Sequence, residues 1–155
     1  MVYLFTSNTV EPAVLIYMGE NENENDTLIE IGRHGDVWFH ISKISSAHVY
    51  LRLPEGMDID MIPEQLLEDC CQLVKANSIK GNKLNDVSVV FTSWSNLKKT
   101  KRMDVGQVGF HDEKLVKQCT VEQRLNAIVN RLDKTRRKHK IDMRAQKKER
   151  DRPHG

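Results

Sequence analysis

The chain has 155 residues, 39% of them hydrophobic and 30% charged, with a formal net charge of +2, which allows one compact domain with part of the chain outside its core. Cys70, Cys71 and Cys119, two of them adjacent and none in a CxxC spacing, exclude a disulfide framework and a zinc ribbon. No apolar run approaches the ~20 residues that cross a bilayer and no basic-flanked leader opens the chain, so composition points to a reduced cytoplasmic or nuclear protein.

Val2–Ser7 and Val14–Met18 are apolar, β-rich runs separated by Asn8–Pro12, which predicts two strands joined by a turn. Glu20–Asp26 reads as an acidic loop, after which Asp26 or Thr27 caps a short helix that Gly32 stops. Asp36–Ile41 alternates as a strand, with Val37, Phe39 and Ile41 on one face and Asp36, Trp38 and His40 on the other. Ala47–Leu53 repeats the pattern: Val49, Leu51 and Leu53 are apolar, His48, Tyr50 and Arg52 polar. Pro63 opens a helix to about Ser78, in which Leu66, Leu67, Cys70, Leu73, Val74 and Asn77 recur at helical spacing. Val87–Thr92, Val105–Phe110 and Leu115–Cys119 follow as strands.

This order predicts an α+β fold over residues 1–119, a mixed, mostly antiparallel sheet with packed helices. Residues 120–155 are expected to form a long charged C-terminal helix that starts as a coiled coil. Thr120 and Gln123 suit a capping box, and Val121, Leu125, Ile128 and Leu132 recur at spacings of four, three and four. That seam would pair two copies as a homodimer.

Residues 1–30 hold six acids and no Lys or Arg, whereas residues 131–152 hold eleven Lys or Arg against four acids. Such asymmetry marks an interaction arm. Its cations, Arg131, Lys134, Arg136, Arg137, Lys138, Lys140, Arg144, Lys147, Lys148, Arg150 and Arg152, distribute all round a helix. That suits sequence-independent binding to phosphates through counterion release. Lys98, Lys99, Lys101 and Arg102, next to Trp94, form a second basic cluster fit for a phosphate backbone. A solvated loop and a solvated arm would account for the same charges without a ligand.

Trp38, His40, His48, Tyr50, Arg52 and Trp94 are candidates for a surface site, the aromatic rings stacking on bases while Arg52 and the histidines meet phosphate. The same face fits a metal or acid–base site built on His40, His48 and Asp36, or the inner side of a sheet covered by a helix. The chain has no GxSxG elbow, no Gly-rich phosphate loop and no Cys–His signature, so no catalytic residue, metal or cofactor is assigned.

Taken in order, Asp36-Val-Trp-Phe-His40, Ser45-Ser-Ala-His-Val-Tyr50, Val74-Lys-Ala-Asn-Ser78, Thr92-Ser-Trp-Ser-Asn-Leu-Lys-Lys99 and Asp104-Val-Gly-Gln-Val-Gly109 resemble the NFACT-R domain family, over essentially residues 1–140. The resemblance implies an α+β fold, no catalysis and nucleic-acid association: RNA for ribosome-linked members, DNA and a membrane association for the stand-alone member. DNA is therefore the expected ligand, with RNA or ribosome association as the alternative. Where vertebrate relatives carry lysines after the Tyr-Met-Gly element, this chain has Glu20-Asn-Glu-Asn-Glu24. The cationic role would then fall to Lys98–Arg102 and the tail.

Overall fold

The computed structural model describes residues 1–140 and 142–151; Arg152, expected among the tail cations, lies outside the described residues. β1 (Val2–Ser7) and β2 (Val14–Gly19) lead into α1 (Glu22–Ile31), β3 (Asp36–Ile41), β4 (Val49–Arg52), α2 (Glu64–Ala76) and β5 (Val87–Ser93). A short hairpin of β6 (Leu97–Lys98) and β7 (Gly109–Phe110) follows, then β8 (Lys117–Val121), α3 (Asn126–Asp133), β9 (Arg137–His139) and α4 (Met143–Arg150).

Seven strands form one sheet in the order β8-β5-β3-β4-β2-β1-β9. Every pairing in it is antiparallel, so the mixed sheet that was expected is an antiparallel one. Period-two alternation gives the sheet two faces. Phe5, Ile16, Val37, Phe39, Val49, Leu51, Val89 and Phe91 point to one side, where Leu66, Cys70, Leu73 and Val74 of α2 and Leu132 of α3 close the main core. On the other side Tyr17, Trp38 and Tyr50 pack with Leu28, Ile29 and Ile31 of α1 and with Leu97. The α+β expectation holds, with helices on both faces of the sheet.

Three local expectations change. α1 begins at Glu22, before Asp26, because Asn21 caps it: Asn21 Oδ1 accepts from the Glu24 backbone N–H at 3.0 Å. Glu22 and Glu24 thus occupy the first turn, where the helix dipole favours acids. Of Val105–Phe110, only Gly109 and Phe110 are strand; Gly106 has φ +82° in the turn before them. Thr120 is no helix cap, since it pairs with Ser88 as β8 runs on through Val121.

The expected long C-terminal helix is three separate elements. Gln72 of α2 holds the chain after β8, its Nε2 donating to Gln123 O at 3.0 Å and its Oε1 accepting from Leu125 N at 2.9 Å. α3 ends at Asp133, and just beyond it Thr135 Oγ1 donates to Leu132 O at 2.7 Å and accepts from Thr6 N at 3.0 Å. That bond delivers the chain to the open edge of β1, and Arg137–His139 pairs there against Val2–Leu4. An unpaired edge offers hydrogen bonds that a solvated helix would forgo. The dimer seam is corrected for the same reason. Val121 and Leu132 are buried in the chain's own core, Ile128 packs half-buried against it, and Leu125 caps α3.

Candidate nucleic-acid interface

The polar side of β3 and β4 is an interior layer, so the surface site expected there is corrected. Tyr50, Trp38 and His48 are all at or below 2% exposure beneath α1 and the β6–β7 region. The physical reason is apolar: α1 brings Leu28, Ile29 and Ile31 onto three aromatic rings, and burying them outweighs keeping the few polar atoms wet. Most of those polar atoms are then paired inside, whereas the Tyr50 hydroxyl has no hydrogen-bond partner among the described residues. Asp36 takes a two-pronged ion pair from Arg52, at 3.0 and 2.9 Å, and accepts from the Tyr17 hydroxyl and the Arg33 backbone N–H. Tyr17 and Tyr50 stack with centroids 4.8 Å apart, and burial first of all raises both hydroxyl pKa values, keeping them neutral.

Trp38 Nε1 donates to His48 Nδ1 at 3.0 Å. Burial, and then the neighbouring His40 4.9 Å away, push His48 down to about 3. Burial lowers His40 as well, although its ring bond to the Ile41 carbonyl opposes this. The two histidines therefore form a neutral, structural pair. Asp36 is engaged by Arg52, and among the described residues no three His, Cys, Asp or Glu side chains gather as metal ligands. Trp94 is half-buried, its Nε1 donating to Ile29 O at 2.7 Å while Arg150 lies 5.5 Å above its ring. Gly32 makes that possible, because a Cβ there would come within 2.2 Å of the indole.

The loop cations divide. Lys99 is absorbed by its surroundings, with its ammonium 3.0 Å from Asp26 Oδ1, 2.6 Å from Asp104 O and 2.7 Å from Gln107 O. Lys98, Lys101 and Arg102 are exposed and have no ion pair or hydrogen bond from their side chains among the described residues.

The tail cations divide in the same way. Arg131 grips buried Asp69 at 2.5 Å, Lys147 pairs with Glu30 at 2.5 Å, and Arg150 reaches the carbonyls of Glu30 and Gly32. Those three fasten α3 and α4 to the domain. Arg136 and Lys138 both lie 5.4 Å over the Tyr3 ring, and Lys138 sits 3.5 Å from Glu20. Lys134, Arg137, Lys140, Arg144 and Lys148 are exposed and free of ion pairs among the described residues. Residues 134–140 thus line the open edge of the sheet with cations. The acidic start of α1 stands between this edge and the loop, Glu20 facing Lys138 and Asp26 facing Lys99. The fold does not merge the two basic clusters into one. Exposed Lys43 and Lys80, which the sequence pattern does not single out, flank a cleft of about 390 Å³ with Ser45, Ser46, Asn77 and Ser78, where the Ser45–Tyr50 motif begins and the Val74–Ser78 motif ends.

An antiparallel sheet with helices on both faces, a covered aromatic layer on one of them and exposed cations on loop and edge defines an α+β domain with two separate basic surface clusters. Residues 1–112 match the family described as NFACT protein RNA binding domain, and the chain belongs to that family. It is 55% identical over 152 residues to coiled-coil domain-containing protein 25 of Danio rerio, covering 98% of this chain and 73% of that one. It is 46% identical to the homolog from Dictyostelium discoideum, covering 92% and 69%, and 41% identical to protein JLP2 of Saccharomyces cerevisiae, covering 88% and 68%. Among solved structures, the C-terminal part of the fibronectin/fibrinogen-binding protein from Streptococcus suis superposes with a TM-score of 0.67 at 22% identity, covering 82% of this chain and 47% of that one. That likeness bears on the fold. The family match ends before α3, so the basic edge lies beyond it and the basic loop within it.

Proposed function

We propose that this protein is a non-catalytic RNA-binding module that holds the phosphate backbone without regard to sequence, chiefly along the basic edge at β9. The observation that carries this reading is the row of unpaired, exposed cations at Lys134, Arg137 and Lys140, extended by Arg144 and Lys148. An exposed cation with no intramolecular acid keeps its full capacity to replace a counterion on a phosphate. The family description names RNA, and the expectation of DNA has no support beyond the resemblance. Binding is favoured over catalysis because the close histidine pair, His48 buried and His40 half-buried, is neutral at ordinary pH. No helix among the described residues is long and apolar enough to cross a membrane, and the reading requires none.

A Lys134→Glu/Arg137→Glu/Lys140→Glu variant tests the proposal against single-stranded RNA across a salt series, with DNA of the same sequence as competitor. Its affinity is expected to fall more than about tenfold at moderate salt, and the salt slope to flatten by about 2, roughly 0.7 for each lost contact. A Lys98→Glu/Lys101→Glu/Arg102→Glu variant should lose less. Parent-like binding by the first variant rejects the edge; preference for the DNA competitor rejects RNA as the ligand class.

A further inference from the structure

Two of the three cysteines meet across the main core at a point that no nucleic-acid contact uses. Cys71 lies on α2 and is buried; Cys119 lies on the edge strand β8, partly exposed, opposite Val89 of β5. Their thiols are near enough to shift each other's ionisation, and both line one open cavity of about 360 Å³ between α2 and β8. Cys70, the sequence neighbour of Cys71, points fully into the core with other apolar side chains and does not line that cavity. The structure therefore supplies a paired thiol with an entrance.

The two thiols are unequal. Interaction with the Cys71 thiol lowers the Cys119 thiol, against the opposing effect of burial, whereas the same interaction and then burial raise Cys71. The thiolate is the attacking species, so the exposed member is the one prepared to react and the buried member stands behind it. Around the cavity, Glu64, Glu68 and Glu122 set a negative rim, which repels an anionic oxidant and admits a small neutral one.

We infer that Cys119 and Cys71 form a reversible oxidative modification site, which small neutral hydroperoxides convert to an intramolecular disulfide tying β8 to α2. The Cys119 thiolate attacks the distal peroxide oxygen, forming a sulfenic acid as the O–O bond breaks and the leaving oxygen takes a proton to become water or an alcohol. Cys71 sulfur then attacks the sulfenic sulfur, the S–S bond forms, and the hydroxyl leaves as water with the Cys71 proton. Two thiols lose two electrons and two protons in all, and one peroxide is reduced. The bond would fix the α2–β8 junction where Gln72 already holds Gln123 and Leu125, just before the chain enters α3 and the basic edge.

Hydrogen peroxide on the full chain tests this, read by intact mass and by peptide mapping without reduction. The parent and Cys70→Ala are expected to lose about 2 Da, to yield a cross-linked peptide joining residues 71 and 119, and to revert with dithiothreitol. Cys119→Ser should give no such product; it is the decisive variant because Cys119 is not fully buried and its loss leaves the core filled. Glutathione disulfide should react far more slowly than peroxide. Addition of oxygen atoms at Cys119 without cross-linking overturns the proposal. So does a cross-link that survives Cys119→Ser, or equal reactivity toward glutathione disulfide.

Discussion

His48 illustrates how a single residue type carries different chemistry once the sheet is covered. On an open face it would titrate near 6.5 and meet phosphate. Here Nδ1 accepts from Trp38, so the neutral ring satisfies its partner and a second ring proton would face the indole N–H. With the folded value near 3, the unfolded chain binds a proton below about 6.5 that the folded chain refuses. Stability is therefore lost as pH falls through that window, at up to about 1.4 kcal/mol per pH unit from this residue, with no further loss below about pH 3. His48→Gln keeps an acceptor and a donor but does not titrate. Urea denaturation from pH 7 to 4 should show a shallower pH slope for the variant by about one proton; identical slopes would show that His48 titrates normally. His40, also lowered, remains in both proteins and contributes in the same direction.

At the scale of elements, what could be read from the sequence is what alternates or repeats on its own. β1, β2, β3 and β5 follow from apolar alternation, and α2 from its stripe at Leu66, Cys70, Leu73 and Val74. What could not be read depends on partners distant in the chain. Asp69, Gln72 and Lys75 look like the wet side of α2, yet all three are buried: Asp69 by Ser7 and Arg131, Gln72 by the chain before α3, Lys75 by the carbonyls of Gly81 and Asn82. The tail's apolar spacing is real, but it belongs to the last residue of β8 and to a two-turn helix in the home core. A Leu132→Asp variant separates these accounts. With Leu132 fully buried, the substitution places an unpaired charge in the core and should cost on the order of 4 kcal/mol in chemical denaturation. Light scattering should give the same monomer mass for the parent and for the variant under folding conditions. A dimer in the parent that this change dissolves, with stability preserved, would restore the seam.

For the whole molecule, the decisive feature is how the +2 formal charge is arranged. Acids from the first thirty residues begin α1, hold α4 through Glu30 and stand between two basic clusters. A nucleic-acid strand passing from the β9 edge to the 98–102 loop must cross exposed Glu20 and Glu22 and half-buried Glu24, which pairs with the N-terminal ammonium, at a cost of a few tenths to about 1 kcal/mol for each acid. Neutralising them as Glu20→Gln/Glu22→Gln/Glu24→Gln should therefore raise RNA affinity by roughly tenfold, about 1.4 kcal/mol. The same change removes acids from the first turn of α1 and should lower stability by about 1 kcal/mol through the helix dipole. Titration and thermal melting of one sample read these effects, and they must move in opposite directions. Unchanged affinity with lowered stability would mean that RNA stays on the edge and never reaches the loop, leaving the acidic start of α1 a purely structural device.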